Sequence, residues 1–392
     1  MKTARALVVI VATLAGLASA QTEPSATARA PSDRIPLAVD LQERIERVTV
    51  TVKDRWGREQ TQAIPVTVYR PAGDGPFPLV VFNHGRTLDR STQGRSRPEH
   101  LARYLVHKGL VVMAPTRLGY GDTYGPFDPE DSGPCERKDH APAAQAAADQ
   151  VLATVAYARQ HLAFVDAGRW VVMGASMGGN TTLATVRLKP EGLLGGVNFG
   201  AGSGGNPVQR PGQPCSPERF GQQWDGPAVN SQAPTLWLYW QNDLYNGAEW
   251  PQRWRQAWEQ GGGRAEFHAL PAVGSDGHGG VFIDMNRWVP LMEPFLAGLG
   301  VGRAHVPVRY RPVPDADLGK FDPLPANDTL RQAYAQRFLT AALPRAFAVG
   351  DQGAFGVYSG DWAEGRALGL CQRTGQTCRL YAVNHDVVEQ LP

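Results

Sequence analysis

Short, unbroken apolar runs alternate with helical spacing through the middle of this 392-residue chain. Two alternating stretches, 48–52 and 64–69, come first and predict a hairpin. Apolar runs follow at 79–82, 110–113, 170–173, 193–199, 234–240 and 265–270. Helical spacing occupies 98–108, 143–161, 247–260 and 284–298. Strands buried on both faces read as such runs, and right-handed strand–helix–strand crossovers place helices on both sides of the sheet. The pattern predicts an α/β three-layer sandwich with a mostly parallel sheet over 46–300.

Two stretches break the rhythm. Residues 116–142 and 200–233 are rich in Gly, Pro and Asp and follow neither period, and loops of that length inside a compact domain usually serve function. A Pro-rich stretch, 301–326, reads as a linker. Beyond it the pattern predicts a helix over 328–342, two strands flanking the turn residues 350–353, a helix over 361–370 and a strand over 379–383. This is a small α-β-β-α-β module spanning 327–392.

Residues 1–20 change the picture of where the chain works. Lys2 and Arg5 precede an apolar stretch that ends in Ala18-Ser19-Ala20, a small-x-small pattern expected of a secretory signal cut after Ala20. Residues 21–45 then form a flexible lead-in, and the chain is expected to be secreted or periplasmic, with no stable membrane insertion. Export makes disulfides the default for Cys135, Cys215, Cys371 and Cys378. Cys371 and Cys378 lie close together in one small element, which leaves Cys135 and Cys215 to tie the two irregular stretches to each other. No CxxC or HxxxH pair suggests zinc, and neither metal nor cofactor is expected. Lys and Arg total 39 against 37 Asp and Glu. That balance, without a basic stripe, gives nucleic acid no footprint.

The chemistry begins at Gly174-Ala175-Ser176-Met177-Gly178, a G-x-S-x-G that follows an apolar strand and precedes helical text. Such a turn lifts the serine above the sheet edge and puts the Met177 N–H at a helix start, where the dipole favours an oxyanion. A serine needs a base and a group to orient that base. Asp243 follows the 234–240 strand, and His278 sits in the Gly-rich loop after the 265–270 strand. Asp276 reads as a turn former, Asp225 as a loop residue, His268 as a sheet residue and His140 as a pocket-lining candidate. Phe82-Asn83-His84-Gly85-Arg86 predicts a turn whose Arg86 N–H is the second oxyanion donor, with the His84 side chain structural. Trp240, Tyr245 and Tyr120 are the pocket candidates, while Trp250, Trp254 and Trp258 share one helical face suited to a core. Gly200 to Gly205 fits GxGxxG, but prolines follow where a phosphate-binding helix would start.

Together, Asn83-His84-Gly85, Gly174 to Gly179, Asn242-Asp243 and Asp276-Gly277-His278 resemble the α/β-hydrolase superfamily, in particular dienelactone-hydrolase-like esterases, over about residues 45–300. The resemblance implies Ser176 as nucleophile, Asp243 as acid, His278 as base, and an oxyanion hole of the Arg86 and Met177 N–H groups. Dienelactone hydrolases proper use a cysteine where this chain has Ser176, a departure that bears on the substrate and leaves ester hydrolysis intact. The expected substrate is a small-molecule or polymeric ester. A peptidase or amidase with the same triad, and a binding protein on an inactive hydrolase fold, are the alternatives.

Overall fold

A computed structural model describes residues 37–38, 41–224, 231, 233–302, 308–312, 327–341, 345–360, 363–384 and 386–390. The expected export signal, Asp225 and most of the expected linker lie outside the described residues. Eight strands form the first sheet: β1 (Arg44–Lys53), β2 (Glu59–Tyr69), β3 (Phe77–Asn83), β4 (Val111–Pro115), β5 (Val165–Ala175), β6 (Leu193–Phe199), β7 (Pro234–Trp240) and β8 (Arg264–Leu270). Their order is β1-β2-β4-β3-β5-β6-β7-β8. β1 and β2 form the expected hairpin, β2 meets β4 antiparallel, and every other pairing is parallel.

Alternation along the strands sorts the core into two layers. Leu79, Val81, Val172, Trp237 and Tyr239 pack toward α2 (His140–His161), α3 (Met177–Arg187) and α5 (Trp250–Gln260). Val80, Phe82, Val171, Met173, Leu236 and Leu238 pack toward α1 (Glu99–His107) and α7 (Met285–Gly298). Trp254 and Trp258 are buried on α5, as their spacing requires. Two short helices were not legible: α4 (Pro217–Gln222) inside the second irregular stretch, and α6 (Gly280–Ile283) just after His278. The crossover order and both covered faces match the three-layer α/β-hydrolase sandwich. Among the described residues no helix is long and apolar enough to cross a membrane.

The C-terminal part forms a second sheet of five strands, in the order β11-β10-β12-β13-β9. These are β9 (Val308–Pro312), β10 (Arg345–Gly350), β11 (Phe355–Ser359), β12 (Cys378–Val383) and β13 (Asp386–Gln390), with helices α8 (Asp328–Ala333) and α9 (Ala363–Gln372). Two of the strands depart from the expected pattern. β9 falls within the stretch read as linker and pairs with β13, an edge partner that local prolines concealed. The helix expected over 328–342 stops at Ala333 and widens into a π turn, Tyr334–Phe338. Tyr334 and Phe338 stack on each other and lie edge-on to Phe347 of β10. The Cys371–Cys378 bridge joins the end of α9 to the start of β12.

Glu364 is half-buried where α9 meets α1. Its carboxylate lies 3.7 Å from the His100 ring, with Glu99 and Arg103 of α1 and Arg97 before that helix also acting on it. Burial pushes its pKa well up and the Glu99 charge adds to the rise, outweighing Arg103 and Arg97. The folded chain therefore holds a proton that the unfolded chain releases above the ordinary glutamate pKa of about 4.3. Stability contributed here is present at low pH and is lost as pH climbs toward the folded-state pKa. Glu364→Gln is expected to raise Tm by roughly 2–4 °C at pH 8 and to change it little near pH 5, read from thermal unfolding at both values.

Candidate active site

Ser176 stands between β5 and α3 at φ 56° and ψ −119°, a conformation that non-glycine residues rarely hold. Its own N–H is held by the Phe199 carbonyl at 2.9 Å. The turn closes only because its neighbours lack side chains. A Cβ on Gly178 would lie 2.0 Å from the Asn83 carbonyl oxygen. Met177 is the first residue of α3, so its N–H has no intrahelical acceptor and faces the positive end of the helix dipole.

Asp243 and His278 meet at the ends of β7 and β8. The imidazole Nδ1 lies 2.9 Å from Asp243 Oδ2, and the carboxylate is 2 % exposed. Three more donors fix that carboxylate: the N–H groups of Tyr245 and Asn246 on Oδ1, and Asn246 Nδ2 on Oδ2. With Nδ1 donating to the carboxylate, Nε2 is left as the proton acceptor. Burial lowers the His278 pKa, but the charge and hydrogen bond of Asp243, helped by the Asp276 charge, outweigh it, so the net shift is upward.

The backbone at Phe199–Gly200 lies between serine and histidine. Phe199 binds the Ser176 N–H, and a Cβ on Gly200 (φ 61°) would sit 3.7 Å from His278 Nδ1 and 3.6 Å from Asp243 Oδ2. Among the described residues no hydrogen bond joins Ser176 Oγ to His278. In unliganded sites such bonds are often long and tighten with substrate.

The turn after β3 packs on the serine. A Cβ on Gly85 would be 3.3 Å from Ser176 Cβ, and the Arg86 N–H donates to no group among the described residues. The Arg86 side chain forks onto Asp128 at 2.6 and 3.1 Å. His84 is buried and accepts the Arg117 N–H on Nε2; burial, with the Arg117 charge, holds its pKa well below the usual value. Beneath the turn Arg117 pairs with Glu130, which also accepts the Tyr120 hydroxyl at 2.6 Å. The Cys135–Cys215 bridge then fastens the first irregular stretch to the second.

Two of the three pocket candidates are buried. Tyr120 is fully buried, because its hydroxyl is committed to Glu130 below the turn. Trp240 is 2 % exposed, since strand alternation turns it toward the layer of α1 and α7. Its Nε1 donates to Asp284 at 2.7 Å, its ring lies under Gly280 and its Cβ under Gly277, so it forms the floor of the histidine loop. Tyr245 is half-buried and lies against the His278 imidazole, with ring centres 4.4 Å apart.

Asp276 is a turn former: Oδ1 accepts the N–H groups of His278 and Leu244. His268 meets Glu266 on the sheet, and His140 packs on Phe220. Sequence reasoning missed Asn246, whose only signal is its place three residues after Asp243. It also missed Asp128 and Glu130, because nothing in their spacing points to Arg86 or Arg117.

No protein-family model matches the chain, and no curated protein matches it. Solved structures do resemble it. A Klebsiella pneumoniae protein named as a dienelactone hydrolase is 18 % identical over 66 % of this chain and 99 % of its own, with a TM-score of 0.42. Thermogutta terrifontis esterase 2, in a cyclosarin-phosphonylated form, is 16 % identical over 65 % and 94 %, with a TM-score of 0.43. Pyrococcus horikoshii acylaminoacyl peptidase is 14 % identical over 64 % of this chain and 41 % of its own, with a TM-score of 0.41. The chain's own strand order and strained strand-to-helix turn give it the α/β-hydrolase fold.

Proposed function

We propose that this chain is an exported serine hydrolase that cleaves carboxylic esters. The observation that carries the reading is a serine on a strained turn at a helix start, one backbone step from an imidazole whose Nδ1 is held by a buried carboxylate. His278 Nε2 takes the Ser176 hydroxyl proton as Oγ attacks the acyl carbon. The Met177 and Arg86 N–H groups receive the oxyanion, and the imidazolium, stabilised by Asp243, returns its proton to the departing alcohol. Water, activated by the same base, releases the acid and frees Ser176. Domain limits of 46–300 for the catalytic part and 327–392 for the module, to whose sheet β9 adds a strand from the 301–326 stretch, belong to the same proposal, with removal of residues 1–20.

The test is a panel of short p-nitrophenyl esters and matched p-nitroanilides on the purified chain, with a fluorophosphonate probe and peptide mapping alongside. Ester hydrolysis well above anilide hydrolysis, and a label on Ser176, are the expected results. Faster anilide cleavage would make the chain an amidase. Absence of both turnover and label would leave a binding protein on a hydrolase fold.

A further inference from the structure

The C-terminal module reaches the segment that carries the proposed base. α6 begins two residues after His278, and Asn384, in the turn between β12 and β13, donates its Nδ2 to the Phe282 carbonyl of that helix. Asn384 is itself locked. It is 3 % exposed and sits at φ 56°. Its N–H donates to the Arg345 carbonyl at 2.9 Å, and its Oδ1 accepts the Arg345 N–H at 3.1 Å. The Arg345 Nε in turn donates to the Asn384 carbonyl at 3.0 Å. A residue held by three hydrogen bonds, one of them on the amide oxygen itself, presents a more rigid donor than a surface side chain that must be ordered on contact.

The segment it holds has few anchors of its own. Gly277, Gly279 and Gly280 surround His278 and give the backbone wide freedom. On the hydrolase side, Asp276 and the Asn242 carbonyl hold the start of the loop, and Trp240 supports it from below. Past His278, Asp284 receives Trp240 Nε1, and the Phe282 carbonyl receives Asn384. The module is secured at a second point, where α9 lies on α1 beside Glu99, His100 and Arg103. The Cys371–Cys378 bridge links that helix directly to β12, which ends one residue before Asn384.

We propose that the C-terminal module is a clamp on the histidine loop, and that Asn384 is a positioning residue acting on His278 through Phe282. The proposal rests on the hydrolase reading for its catalytic consequence, whereas the clamp itself is a property of the fold. A loss of about an ångström in the placement of a catalytic group can cost up to about a hundredfold in rate.

Two variants separate clamping from mere folding. Asn384→Gly removes the amide and keeps a residue that tolerates the left-handed backbone. Asn384→Asp keeps the acceptor for the Arg345 N–H and turns an acceptor toward the Phe282 carbonyl. In the full-length protein, backbone amide exchange across 277–284 is expected to rise in both variants, with exchange in β5 and α3 unchanged. Turnover of a p-nitrophenyl ester is expected to fall by roughly tenfold or more in kcat, with KM within about twofold. Unchanged exchange across 277–284, or unchanged kcat in a folded variant, would overturn the clamp. If wild type turns over no ester, the hydrolase reading has failed, and exchange alone then decides the proposal.

Discussion

Ser176→Ala is expected to abolish ester turnover and fluorophosphonate labelling while leaving the fold intact. In the proposed mechanism the Ser176 hydroxyl attacks, and loss of the nucleophile in such triads costs on the order of 10⁶ in kcat. Stability should hold or rise. The residue sits at φ 56°, where alanine suffers the same backbone strain, and among the described residues Oγ makes no hydrogen bond to give up. Substrate binding should persist, because the N–H groups of Met177 and Arg86 remain. The check is a steady-state assay, labelling and thermal unfolding on the same preparations. Ester turnover within tenfold of wild type in this variant would remove the serine from the mechanism.

Asp243→Asn carries the second largest expected effect, a fall of about 10⁴ in kcat. The amide can still accept from the Tyr245 and Asn246 N–H groups. Toward the imidazole, however, it loses the charge that stabilises the cation formed in the transition state. The pH dependence gives an independent sign. The base must be neutral to act, so activity falls as pH drops through the His278 pKa, which lies above its ordinary value of 6.5 because of Asp243 and despite burial. Without that carboxylate the burial effect is opposed only by Asp276, so the acid limb of the variant's kcat/KM profile should move to lower pH. Asp276→Asn is the control. Its oxygen serves backbone N–H groups, so its effect on kcat should be small beside that of Asp243→Asn. Equal losses in the two variants would show that the acid had been misassigned.

Legibility in the sequence followed how local each cause was. The turn at Ser176 could be read because its requirements are local: an apolar strand, a glycine where a Cβ would strike Asn83, and a helix to follow. The histidine could be found from its Gly-rich loop, and Asp243 from its place at the end of a strand. The burial of Trp240 and Tyr120 was not legible, because aromatic content near a site says nothing of which way a side chain turns. For Trp240 strand alternation decided that, and for Tyr120 a buried glutamate did. The Arg86–Asp128 fork joins positions 42 residues apart, and no period encodes such a pairing.

The module makes the same division. Its helices and three of its strands follow from local pattern, whereas β9 and β13 pair across more than seventy residues and prolines mask the first of them. By itself the sequence determined the layered α/β sheet and the serine turn, because apolar periodicity and glycine placement act over a few residues; the cysteine pairing followed from the closeness of Cys371 to Cys378, which left Cys135 for Cys215. Only the tertiary structure decided which carboxylate holds His278, which aromatics support the loop and what the C-terminal sheet touches. Those choices depend on contacts whose energy appears only once distant segments have been brought together.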